Sequence, residues 1–269
     1  MEYILEIQNV RKTYSKKIIN LLGKTDNEYF YVLNDVNIKI QKGKVTALLG
    51  GNGSGKSTLF NIICGYLPTN EGKILFNSSK GYLDLTKIPA YKTAKAGVGR
   101  MFQGTHIFKN MTVLENMLLA DENTFGEFPF VSMFSSKKNA QIEGNRVLEA
   151  EKIFNSLLGQ ANPLWEKREH LAGSLSYGQQ RLLALARLFM NNHLELILLD
   201  EPCAGVNPDI AELLKKIIHY LRETGKTVLL IEHNLDFVKD ISDYCYYLEN
   251  GEISLQGTYA EVITNSMTK

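Results

Sequence analysis

Residues Gly50 to Ser57 read GGNGSGKS and fit the spacing G-x-x-x-x-G-K-[ST]. The chemistry that spacing offers is the capture of a polyphosphate. Gly50, Gly51, Gly53 and Gly55 can turn backbone N–H groups inward through conformations that a Cβ would obstruct. A helix starting at the end of the loop presents its N-terminus to the same anion. Lys56 would then sit on the β- and γ-phosphates, and the Ser57 hydroxyl is of the kind that holds Mg²⁺. Taken alone, the pattern could be a flexible turn. The apolar run Val45 to Leu49 before it and the helical pattern from Thr58, Leu59 and Phe60 after it supply the context a phosphate loop needs.

Other polar residues stand where they could act on the same phosphate. Asp200 and Glu201 close the apolar run Leu196 to Leu199. Side chains alternate along a strand, so Asp200 is expected to approach a Mg²⁺ shell while Glu201 faces a water beside the terminal phosphate. Gln103 ends the short stretch Gly97 to Phe102, where it could ligate a metal, hold a water or fill the surface. Glu232 and His233 follow the buried run Val228 to Ile231, at the kind of strand end where open α/β sheets bind ligands. Ser176 and Gln179, spaced as a capping box, precede an apolar helix from Arg181 to Met190, with Gly178 allowing close approach. A capped helix N-terminus is also an anion site. Tyr14 could stack on a base or cap the edge of a sheet.

The elements that must position these residues read as follows. Tyr3 to Val10 alternates like a half-buried strand, with Tyr14 in a polar turn. Ser15 to Tyr29 reads as a hairpin tip or loop, and Phe30 to Ile40 as a strand. The helix after the phosphate loop ends near Cys64, and Gly72 to Phe76 is a further strand. Thr112 to Ala120 has helical spacing, Asp121 to Asn139 is read as an irregular connection, and Arg146 to Leu158 as an amphipathic helix. No strand is expected between Gln103 and Leu171, so the middle of the chain reads as a helical lobe inserted into an α/β core. Asn250-Gly251 suits a type I′ turn in a hairpin from Tyr246 to Leu255, and the tail from Thr264 is expected to fray.

Composition narrows the function classes. With 269 residues and 44% hydrophobic content, the chain can bury a full core. Thirty basic against 29 acidic residues leave a net charge of +1, which argues against a broad nucleic-acid footprint. No apolar run is long enough for a membrane span and the first residues lack a signal-peptide layout, so a cytoplasmic protein is expected. Cys64, Cys203 and Cys245 have no metal or redox spacing and read as buried thiols.

The order of these pieces resembles the ATP-binding cassette (ABC) ATPases over nearly the whole chain. Walker A is GGNGSGKST, the Q-loop residue Gln103, the signature LSYGQQ from Leu175, Walker B LILLDE, the D-loop Ala204 to Asn207, and the switch histidine His233. Within the family the chain looks most like the ATPases of branched-chain amino-acid importers, on AGVGRMFQ, MTVLENMLLA, DEPCAGVNP and LLIEHNLDFV. Lipopolysaccharide-exporter ATPases share much of this. Tyr177 and Asn207 replace a commoner Gly and Asp, and Gly51 stands where Pro is frequent.

The resemblance implies an α/β fold: a P-loop NTPase (RecA-like) core with an N-terminal antiparallel β subdomain and an inserted α-helical subdomain. It implies one domain over 1–269, the helical part spanning roughly 104–190. It implies ATP bound by Tyr14 (or Tyr31) at the adenine and by Gly50, Asn52, Gly53, Ser54, Gly55, Lys56, Ser57 and Thr58 at the phosphates. Ser176, Gly178 and Gln179 would serve the nucleotide of a second ATPase subunit, in a homo- or heterodimer. Mg²⁺ would lie among Ser57, Gln103 and Asp200, with Glu201, His233, Lys56 and Gln103 in catalysis. The implied partners are transmembrane permease subunits, docking beside Gln103 and Met111 to Leu119 and holding this chain on the inner face of the membrane, and not nucleic acid. A soluble ABC protein acting on a macromolecular assembly is the rival class.

Overall fold

The computed structural model describes residues 2–19, 25–120, 136–159, 163–191 and 193–266. The chain opens with strands β1 (Tyr3–Ile19) and β2 (Thr25–Gln41), and β3 (Val45–Leu49) runs into helix α1 (Lys56–Ile63). Strands β4 (Glu71–Ser78) and β5 (Gly81–Asp84), helix α2 (Ala90–Lys95) and strand β6 (Val98–Met101) follow. Among the described residues, helices α3 (Val113–Leu118), α4 (Ser136–Leu158), α5 (Pro163–Glu166) and α6 (Tyr177–Leu188) lie between β6 and β7 (Leu196–Asp200). The rest is α7 (Pro208–Glu223), β8 (Thr227–Ile231), α8 (Leu235–Ile241), β9 (Tyr244–Glu249), β10 (Glu252–Gly257) and α9 (Tyr259–Ser266).

Strands β3, β7 and β8 are buried along their whole length, and each is short and almost wholly apolar. Such runs can face water on neither side, which suits a parallel sheet covered on both faces. The order is β10-β9-β3-β8-β7-β6, parallel except for the β9–β10 hairpin. Alternation divides the side chains between two cores. Ala47, Ile197, Leu199, Val228 and Leu230 face a cluster with the helices, including Phe154, Leu183 and Ile217. Leu48, Leu196, Leu198, Leu229 and Ile231 face the second cluster, with α1 and the antiparallel sheet β2-β1-β4-β5. Asn250 and Gly251, at φ 49° and 80°, make the two-residue turn expected between β9 and β10.

Several expectations are corrected. Ser15 to Tyr29 is not a loop: β1 continues to Ile19 and β2 begins at Thr25, with Ser15 opposite Tyr29. Tyr14 is therefore inside a strand and not in a turn. Ser15, Lys16, Glu28 and Tyr29 are all exposed, so at these positions no buried face imposes a period of two. Of the expected irregular connection, residues 121–135 lie outside the described residues. Ser136 to Asn139 already belongs to α4, ten residues ahead of Arg146. Its polar start, SKKNAQ, lacks the apolar stripe that would mark it as helical. Helix α1 begins at Lys56 and not Thr58, and α9 continues through Ser266, beyond Thr264.

No cysteine is in a disulfide: Cys64 and Cys245 are buried and Cys203 is partly so. Burial pushes the Cys64 thiol up to about 11, against opposing effects of Arg100, and raises Cys203, where the Glu232 carboxylate adds to burial. A raised pKa leaves less thiolate at any given pH. We expect iodoacetamide at about pH 8 to alkylate the native chain far more slowly than the denatured one, with the Cys64 rate still climbing towards pH about 11. Rapid native labelling of Cys64, read by peptide mass, would contradict its burial.

Candidate active site

Strands β3, β8, β7 and β6 are neighbours and parallel, so the segments leaving their C-terminal ends open along one edge of the sheet. The loop Gly50 to Gly55 leaves β3, His233 follows β8, Asp200 ends β7 with Glu201 next, and Gln103 comes just after β6.

The loop is shaped by two glycines. Gly50 and Gly55 have φ of 147° and 108°. A Cβ on Gly50 would strike the Leu248 carbonyl oxygen, and one on Gly55 would lie 2.7 Å from both the Val32 carbonyl oxygen and the Leu33 side chain. Lys56 is buried, and its Nζ donates to the Gly50 and Gly51 carbonyl oxygens at 2.8 Å each. Burial lowers its pKa, opposed by the nearby Glu201 and Asp200 carboxylates. The buried Ser54 Oγ has no hydrogen-bond partner, while Asn52, Gly53 and Ser57 are exposed. An inward cation, an orphaned hydroxyl and the free N–H groups of a helix start suit a triphosphate.

Beside the loop, Glu201 has both carboxylate oxygens engaged. Gln103 Nε2 donates to Oε2 at 2.8 Å, and His233 Nε2 lies 3.3 Å from Oε1. Its backbone is left-handed at φ 48°, and its N–H donates to the Ile231 carbonyl at 2.9 Å. The strand alternation expected of Asp200 and Glu201 therefore stops at Asp200.

Asp200 Oδ2 is ion-paired with Arg100 at 2.7 Å, both side chains almost fully buried. Arg100 also donates to Asn61 Oδ1 at 2.6 Å, and its guanidinium sits 4.5 Å from the centre of the Phe102 ring. One oxygen of the Asp200 carboxylate is thus already taken. No group of three or more His, Cys, Asp or Glu side chains among the described residues could hold a metal by itself. A single carboxylate with the Ser57 hydroxyl and Gln103 amide suits a hard cation that completes its shell with water and phosphate.

The remaining expected residues have partners of their own. Ser176 is the N-cap of α6, with its Oγ accepting from the Gln179 N–H and the Gln179 side chain accepting from the Ser176 N–H. Gly178 lets α6 lie against Ile210 of α7, since a Cβ there would be 2.8 Å from Ile210 Cγ1. Among the described residues no hydrogen bond joins Ser176, Gly178 or Gln179 to the loop Gly50–Thr58. Tyr14 pairs with Phe30 across the hairpin, their ring centres 6.2 Å apart, while Tyr31 pairs with Thr13.

Residues 33–204 match the family described as ABC transporter. The chain belongs to the ABC transporter family. A probable branched-chain amino acid transport ATP-binding protein LivG of Methanocaldococcus jannaschii is 38% identical, over 89% of this chain and 88% of its own length. The high-affinity branched-chain amino acid transport ATP-binding protein BraF of Pseudomonas aeruginosa is 35% identical, over 87% and 88%. Among solved structures, a nucleotide-free ATP-binding cassette from an ABC transporter superposes with a TM-score of 0.77 at 35% identity, covering 100% of this chain and 96% of that one. An ADP-bound cassette superposes at 0.76 with 35% identity and the same coverage of each chain.

The cassette has the fold class expected from its motifs, and it is a nucleotide-binding ABC ATPase. Sequence reasoning missed one support of the site and placed another at the phosphate. One is Arg100, the partner of Asp200. The other is the buried Glu232, whose carboxylate accepts from the backbone N–H groups of Cys203, His233 and Asn234 and so ties the segment after β7 to the turn after β8. Each is a charged residue in or directly after an apolar run, a signal that could have marked it.

A groove also opens beside Phe102, the residue before Gln103. About 290 Å³ in volume, it is lined by Tyr66, Phe102, His106 and Arg187 among others, and reaches Ala120 without touching Met111 to Leu119.

Removing one member of a buried ion pair strands the other charge. Arg100→Met should cost about 3 kcal/mol in urea unfolding, and adding Asp200→Leu should recover most of the loss. A double variant no more stable than the single would mean that the pair is not what holds β6 to β7.

Proposed function

We propose that this chain is the ATP-hydrolysing subunit of an importer of branched-chain amino acids, acting on the cytoplasmic face of a membrane as a head-to-tail dimer. The observation that carries the reading is the Glu201 carboxylate, held by Gln103 and His233 at the sheet edge from which the phosphate loop emerges. The substrate class is supported by relatives named for branched-chain amino acid transport at 32–38% identity. In this reading residues 1–269 work as one cassette, with the helices within roughly 104–190 as its inserted lobe.

The loop Gly50–Thr58 holds the phosphates, with Gly50, Asn52, Gly53, Ser54 and Gly55 giving backbone N–H groups and Lys56 neutralising charge. Ser57, Gln103 and Asp200 would hold Mg²⁺, which would supply further neutralisation of phosphate charge. Glu201 orients or deprotonates the attacking water. His233, about half exposed, is the partner free to leave Glu201 for the γ-phosphate and water. Tyr14 stacks on the adenine.

Ser176, Gly178 and Gln179 make no hydrogen bond to the loop of their own chain among the described residues, and in this reading they serve the nucleotide of a second copy. One solved relative, a cassette bound to ADP and phosphate at 26% identity and TM-score 0.70, is a dimer, which supports this arrangement. No helix among the described residues is long and apolar enough to cross a membrane, and separate permease subunits would provide the passage. A helix of a permease docking beside Gln103 and Met111 to Leu119 would lie next to the residue that holds Glu201.

Glu201→Gln should lower hydrolysis about a hundred- to ten-thousand-fold while retaining ATP binding and ATP-dependent dimerisation. That locked variant, used as bait in detergent extracts of its source membranes, should retain a multi-span protein. Recovery of soluble partners alone, or turnover close to that of the parent, would overturn the reading.

Base stacking is worth ~1–3 kcal/mol, so Tyr14→Ala should weaken nucleotide affinity about tenfold and Tyr31→Ala much less. The reverse ranking in a fluorescent-nucleotide titration would move the adenine to Tyr31.

A further inference from the structure

Arg181 is the largest fully buried side chain among the described residues, at 0% exposure, on the first turns of α6. No carboxylate lies within ion-pairing distance of it among the described residues, so its charge is carried by backbone dipoles. Nη1 donates to the Phe102 carbonyl oxygen at 3.2 Å, and Nη2 to those of Glu201 at 3.1 Å and Ala204 at 3.4 Å. Nε is buried without a partner. A buried guanidinium that meets no acid and leaves one donor unsatisfied is a poor way to stabilise a core.

The three carbonyls it gathers come from separate segments. Phe102 directly precedes Gln103, Glu201 carries the carboxylate proposed as base, and Ala204 begins the D-loop. The Glu201 peptide is thereby pinned at both ends, by Ile231 at its N–H and by Arg181 at its carbonyl, in a left-handed conformation that other L-residues seldom hold. Arg181 also lies under the Tyr177 ring, 5.4 Å from its centre. The same ring covers Gly205, where a Cβ would be 3.3 Å from Tyr177 Cε1. Tyr177 sits between Ser176 and Gly178, the residues proposed to meet the nucleotide of the other copy.

We infer that Arg181 is a positioning residue that links the exposed end of α6 to Glu201 in the same chain, so that a nucleotide closing on α6 from the partner copy sets the base of this chain's own site. The link runs Ser176–Tyr177, then the Arg181 guanidinium, then the Glu201 and Phe102 carbonyls. The inference rests on the proposed head-to-tail dimer and adds a route by which its two sites communicate. A planar fork serves this purpose better than an ammonium, because its donors hold carbonyls on three segments in one fixed geometry.

The test uses the full-length chain with MgATP, comparing the parent with Arg181→Met and Arg181→Lys. Arg181→Met should lower kcat about tenfold or more and bring the Hill coefficient for ATP from near 2 towards about 1, with the Kd for nucleotide of the isolated chain unchanged within about twofold. Arg181→Lys, which keeps a cation in place, should recover part of kcat but not the cooperativity. If Arg181→Met does not fold, the Lys variant decides alone. A purely structural role would lower the unfolding temperature and leave kcat and the Hill coefficient of the folded protein at parental values, and that result overturns the inference. A parent chain that neither hydrolyses ATP cooperatively nor dimerises would instead refute the proposed function.

Discussion

Parallel pairing of β3, β8, β7 and β6 brings residues almost two hundred positions apart in sequence to one level, because each strand is registered on its neighbour through Val45–Val228, Ile197–Val228 and Gly99–Ile197. A parallel strand must be re-entered from the same end, so every connecting segment crosses over and every following loop emerges at the same edge. That edge gathers Lys56, Gln103, Glu201 and His233. The two apolar clusters on either face of the sheet hold the register, since a slip of one residue would turn Leu48, Leu198 and Leu229 out of one cluster and into the other.

On this scaffold the charged groups are arranged in mutual restraint. Lys56 caps two carbonyls of its own loop, Arg100 holds Asp200, and Glu201 is bridged by a neutral amide and an imidazole. Buried charge is tolerated only where such partners exist, and each partner fixes a direction as well as an energy. The left-handed Glu201 backbone belongs to the same scheme: the residue leaves the strand early and aims its carboxylate between Gln103 and His233.

The helical lobe solves a different problem. Its α6 begins with a complete capping box, packs closely on α7 through Gly178, and leaves Ser176 and Tyr177 exposed. An N-terminus of this kind retains unsatisfied N–H groups and a favourable field for an anion, yet the phosphate loop of its own chain makes no hydrogen bond with it. In the proposed mechanism each copy carries two half-sites, and a nucleotide joins halves from different copies.

What the sequence by itself determined was the order and spacing of the motifs, the apolar strands between them, the capping box at Ser176 and the Asn250-Gly251 turn. Each is written within a few consecutive residues, where period, glycine placement and side-chain type report directly on local geometry. It could not reveal the length of the β1–β2 hairpin beyond Ser15 or the start of α4 at Ser136, because those stretches carry no continuous apolar face to set a period. Nor could it foresee that Arg100 would claim Asp200, that Glu232 would anchor three backbone amides, or that Glu201 would turn left-handed. Those outcomes depend on which distant strand becomes a neighbour, and only the packed sheet decides that.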